Sequence, residues 1–96
     1  MKLPSDHPFS QFNDYFYMES GTAYMPIYLW KKGDNGILIE LYLNDKESGP
    51  RGRIYSLIFE DEYNFKLDRN IRNILGENLD DLYSKMCTNI NKELEK

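Results

Sequence analysis

The chain has 96 residues, 41% of them hydrophobic and 29% charged, with a formal net charge of −4 from 16 acids and 12 bases. These proportions fit a folded globular chain and exclude a disordered one, and the length holds one small domain, residues 1–96, with no second core. The charge argues against nucleic acid as a direct partner, since phosphate binding needs a concentrated basic patch. Only Lys31-Lys32 and the split pair Arg51 and Arg53 come close to one.

A domain this small buries only about 60–65% of its unfolded surface, so an external binding face is easier to build than a large internal cavity. The single Cys87 excludes an intramolecular disulfide framework and fits a reducing compartment. There is no signal-like apolar run and no stretch long enough to span a membrane, so a cytoplasmic location without membrane contact is expected.

In chain order, Ser5 and Asp6 before Pro8 read as a helix start. Phe9, Phe12 and Phe16 then recur at helical spacing, predicting a short helix from about Phe9 to Met18 that ends at Ser20-Gly21. Tyr24–Lys32 is the first strand-like run, with Met25, Ile27 and Leu29 alternating against Tyr24, Pro26, Tyr28 and Trp30. Pro26 cannot donate to a ladder, which points to an edge strand or a bulge. Lys31–Gly36 is the clearest turn signal.

The second run, Ile37–Asn44, places Ile37, Ile39, Leu41 and Leu43 on one face and Leu38, Glu40 and Tyr42 on the other. Asp45–Gly52 is a looser turn, and Arg53–Tyr63 is the third run, closed by Glu60-Asp61-Glu62. Asp68 can cap a short helix through Ile71, Ile74 and Leu75, ended by Gly76. Asn78 caps a longer one, with Asp80 and Asp81 in its first turn and Leu79, Leu82, Met86, Ile90 and Leu94 along its apolar stripe. The expected fold class is α+β: a three-stranded antiparallel β-meander with an N-terminal helix and two C-terminal helices.

Nothing in this order assembles a catalytic set, so no enzyme activity is expected. His7 is the only histidine, and Cys87 sits on an apolar helical stripe that makes a thiol inert. One His and one Cys cannot make a zinc site unaided, and Asp34-Asn35-Gly36 lacks the later Glu of a calcium loop, so no metal is expected. No glycine-rich nucleotide motif occurs, and no cofactor is expected. Glu60-Asp61-Glu62 is the residual place for a carboxylate pair, but such a run at a strand exit reads first as a solvated terminus.

The tyrosines carry the strongest lead. Tyr24, Tyr28, Trp30, Tyr42 and Tyr55, with Glu40 among them, are expected to gather on the second face of the sheet. Tyr and Trp bury large area at low entropic cost, which suits an interface. Two readings stay open: the rings form a binding face, or the N-terminal helix covers them as core.

Gly36-Ile37-Leu38-Ile39-Glu40-Leu41-Tyr42-Leu43, followed by Gly52-Arg53-Ile54-Tyr55-Ser56-Leu57-Ile58-Phe59, resembles immunity proteins of bacterial polymorphic-toxin and contact-dependent growth-inhibition systems. The resemblance covers about half the chain and rests on a hairpin pattern, small size, acidity and aromatic richness. It implies a cytosolic, non-enzymatic protein, a monomer or weak dimer, that binds one cognate toxin domain, often a nuclease, and blocks it. On that reading Tyr24, Tyr28, Trp30, Tyr42 and Tyr55 supply desolvated anchors. Glu40, Glu60, Asp61 and Glu62 would answer the basic surface of a nuclease site. A phage-encoded inhibitor of a host defence nuclease and a structural or adaptor subunit are the alternatives.

Overall fold

The computed structural model describes residues 2–44 and 46–96; Asp45, the first residue of the expected second turn, lies outside them. Five strands form one antiparallel sheet in chain order: β1 (Phe16–Gly21), β2 (Pro26–Lys32), β3 (Asn35–Tyr42), β4 (Arg51–Phe59) and β5 (Phe65–Leu75). A 3-10 turn, Ser10–Tyr15, precedes the sheet, and a single α-helix, α1 (Leu79–Leu94), follows it. The expectation of three strands and three helices is thus corrected at two places.

The first is the N-terminal segment. Phe9 and Phe12 are buried as a helical stripe would require, but the helical stretch is only the short 3-10 segment Ser10–Tyr15 in place of Phe9–Met18. From Phe16 the chain is extended and pairs with β2 through a bulge at Tyr17. Aromatic residues favour a pleated, half-buried surface, and in this segment that preference outweighs the three-residue spacing.

The second is Phe65–Leu75, where a strand replaces the expected helix. Two irregularities in its pairing with β4 leave Ile71 and Asp68 as extra residues. Each bulge resets the alternation by one position, so Ile71, Ile74 and Leu75 fall at a spacing that imitates a helix.

The C-terminal helix starts where its cap signal places it. The Asn78 side chain accepts the Asp81 N–H at 2.8 Å, and Leu82, Met86, Ile90 and Leu94 are buried on the sheet, whereas Leu79 of the expected stripe stays exposed in the first turn. They meet Tyr28, Trp30, Ile37, Ile39, Leu41, Ile54 and Ile74 in one core. Two glycines let the helix approach: a Cβ at Gly52 would stand 2.8 Å from Met86 Sδ, and one at Gly76 only 2.6 Å from Leu82 Cβ.

Candidate functional site

One face of the sheet is covered by α1 and the N-terminal turn; among the described residues no element lies on the other. The register decides which side chains lie on each. β2 and β3 are joined by a two-residue turn, Gly33-Asp34, which pairs Lys32 with Asn35, Trp30 with Ile37 and Tyr28 with Ile39. Gly33 has a φ of 66°, the left-handed value that a II′-type hairpin asks of its first central residue. This places Tyr28 and Trp30 beside the aliphatic row of β3, not opposite it. The expected face of Tyr24, Tyr28, Trp30, Tyr42 and Tyr55 therefore does not assemble, because one residue of register exchanges the two sides of a strand.

Tyr28 and Trp30 are core. Trp30 is fully buried, with Phe9, Phe12 and Phe16 set edge-on to its indole at centroid distances of 5.8, 6.2 and 6.0 Å. Burial, then the neighbouring Tyr83 and Glu19, push the Tyr28 phenol up to about 12. Its hydroxyl receives the His7 Nε2 proton at 3.1 Å, while His7 Nδ1 accepts the Phe9 N–H at 3.1 Å. Both ring nitrogens of His7 are thereby occupied in holding the N-terminal turn to β2. Cys87 is half-buried, its thiol pushed up by burial and 3.5 Å from the Pro8 carbonyl.

Of the expected anchors, Glu40, Tyr42 and Tyr55 do share the open face. Cross-strand pairs there match Leu38 with Tyr55, Glu40 with Arg53 and Tyr42 with Arg51. The Arg51 and Arg53 guanidiniums lie 4.7 and 5.5 Å from the Tyr42 ring centroid, and a hydrogen bond with Tyr55 is the main cause that holds Arg53 above its usual range. Tyr24 stands apart, 67% exposed in the loop between β1 and β2, where its carbonyl accepts the Leu43 N–H at 2.9 Å.

The middle of the open face is apolar. Leu29, Leu57 and Phe59 are buried in a second, smaller cluster flanked by Tyr17, Ile27 and Leu38. Phe65 packs on Phe59 and Tyr17, and next to it Leu67 is 57% exposed. Sequence reasoning overlooked Tyr17, Phe65 and Leu67 because it read Tyr17 as part of a helix and left residues 64–67 without an element. The β-favouring run Phe16-Tyr17 and the Phe65-Leu67 alternation were the signals available.

The acidic run closes one end of this face. Asp61 belongs to the turn between β4 and β5: its Oδ1 accepts the Tyr63 and Asn64 N–H groups at 2.8 and 2.9 Å. The Asn64 side chain, then that backbone contact with Tyr63, hold its carboxyl below the usual range. Glu60 lies 3.6 Å from Lys66 with both side chains well exposed, and the Glu62 carbonyl accepts the Tyr17 hydroxyl at 3.2 Å. All three acids are exposed, but the Asp61 carboxylate is used within the turn, whereas those of Glu60 and Glu62 are not.

No protein-family model, curated protein sequence or solved structure matches the chain. Among the described residues no three His, Cys, Asp or Glu side chains converge on a point that could hold a metal, and no helix is long and apolar enough to cross a membrane.

Proposed function

We propose that the protein is a non-enzymatic binding protein that neutralises a cognate toxin domain, docking it on the open face of the sheet. The observation that carries this reading is the face itself. An apolar centre of Tyr17, Leu38, Phe65 and Leu67 lies uncovered between an acidic end at Glu60 and Glu62 and the Tyr42–Arg51–Arg53 group. Such a layout, apolar anchors inside a charged rim, is what a protein partner needs, and aromatic and Arg residues are the usual anchors. A nuclease domain is the partner class favoured, its basic substrate surface meeting Glu60 and Glu62 while the apolar centre supplies affinity.

The test is capture of the C-terminal domain encoded by an adjacent toxin-like reading frame, using tagged protein at low and high salt. Stoichiometric capture that Leu67→Arg abolishes and Lys92→Gln on the outer side of α1 leaves intact is the expected result. Capture that survives Leu67→Arg would move the interface off the open face, and no capture at either salt would end the toxin-binding reading.

One observation favours a second reading, a self-associating structural or adaptor subunit: among the described residues β5 leaves an eleven-residue edge with no further strand beside it. Light scattering separates the two, since an adaptor of this kind grows in mass with concentration and a one-to-one inhibitor does not.

A further inference from the structure

Helix α1 crosses the sheet on a diagonal. Its first half lies over β4 and β5, where Met86 sits on Gly52 and Leu82 beside Gly76. Its C-terminal end has moved across to β2, where Lys32 Nζ donates to the Leu94 carbonyl. The far corner of the covered face, around Ser56, Asp68 and Arg69, is consequently left without a roof. A cleft of about 440 Å³ opens there between the end of the helix and the sheet. That volume lies within the range of small-molecule sites, about 300–1,000 Å³.

The cleft has an apolar floor and polar walls. Gly36 and Ile37 form part of its floor, and Leu94 flanks it. Its charged groups are not equally available. Lys96 is paired with Glu93 at 3.1 Å, and Asp68 accepts the Ser56 hydroxyl at 3.1 Å. Lys32 is engaged only by a neutral carbonyl and, more distantly, by the Tyr15 ring. Arg69, exposed on the opposite wall, makes no ion pair or side-chain hydrogen bond among the described residues. Counting side chains and taking the Lys96–Glu93 pair as neutral, the cleft keeps two cations, Lys32 and Arg69, against one carboxylate, Asp68, an excess of one positive side chain.

We infer that this cleft binds a small amphipathic carboxylate, its acid group between Lys32 and Arg69 and its apolar body on Gly36 and Ile37. A guanidinium suits a carboxylate because its planar fork donates two parallel hydrogen bonds. A neutral ligand would leave that donor set unused, and a cationic one would face it. The site lies on the opposite side of the sheet from the proposed toxin-binding face, so either can fail without the other.

The test is an amide chemical-shift titration of the full chain with octanoate, octanol and octylammonium. Octanoate is expected to shift Ile37, Ser56, Arg69 and Leu94 saturably and to bind about tenfold more tightly than octanol, the ratio one charge-assisted hydrogen bond supplies. Octylammonium should bind more weakly than octanol. Arg69→Gln, on an exposed strand, should bring octanoate down to the octanol affinity while its spectrum stays folded. Equal affinity for octanoate and octanol, unchanged binding in Arg69→Gln, or shifts centred on Leu38 and Phe65 would each overturn the inference.

Discussion

Trp30 organises the core through ring edges: three phenylalanines from the N-terminal segment meet one indole. Edge-to-face pairs of this kind contribute about 0.5–1.5 kcal/mol each beyond area burial. Trp30→Ala is expected to cost about 3–5 kcal/mol, read as a lower denaturant midpoint, and to release the N-terminal segment along with the core. His7 belongs to the same construction. Burial holds its imidazole below the usual 6.5, so between that lowered value and 6.5 the unfolded chain binds more protons than the folded one. Stability therefore falls as pH drops below 6.5, and a proton on Nδ1 would displace the Phe9 N–H. His7→Gln should flatten this part of the pH–stability curve; parallel curves for the two proteins would show that the imidazole is not titrating against the fold.

Among the elements, α1 and the middle three strands were legible in the sequence, and β1 and β5 were not. Asn78, Asp80, Asp81 and an uninterrupted four-residue stripe announce the helix through local chemistry alone. Asn78→Ala should accordingly cost about 0.5–2 kcal/mol, the usual loss for a side-chain cap. β5 gives no such local sign, since its alternation is broken twice by residues that bulge against β4. Only the partner strand explains the pattern, and a partner strand is tertiary information. The binding face was half legible for the same reason. Glu40 and Tyr42 share a parity fixed within β3, whereas Tyr55, Tyr28 and Trp30 take their face from the register across a turn, and the turn before β3 is one that the sequence leaves six residues long. Gly36 tests that register: a Cβ there would lie 2.5 Å from the Trp30 carbonyl oxygen, a backbone atom that cannot turn aside. Gly36→Ala should destabilise by about 2 kcal/mol or more, and Gly52→Ala by less, because it meets the flexible Met86 side chain.

At the scale of the molecule, charge is unevenly placed. The open face carries Lys31, Arg51 and Arg53 against Glu40, while the chain as a whole carries −4. Glu60 and Glu62 are the acids that border this face without a structural duty in the turn. On the proposed function, Glu60→Gln with Glu62→Gln should slow association with the toxin domain and flatten its salt dependence, leaving dissociation nearly unchanged. An unaltered on-rate would take those acids out of the interface. The strand order has a consequence of a different kind. Every strand pairs with the one synthesised just before it, so the sheet can grow by hairpin closure without waiting for distant chain. Its lid cannot: α1 comes last, and at about 5–20 residues per second its 16 residues take about one to three seconds to make. Until then Ile39 and Leu41, in the core that α1 completes, line a bare surface on a nascent chain. The ribosome-bound sheet, more than the finished protein, exposes the apolar surface that chaperones recognise.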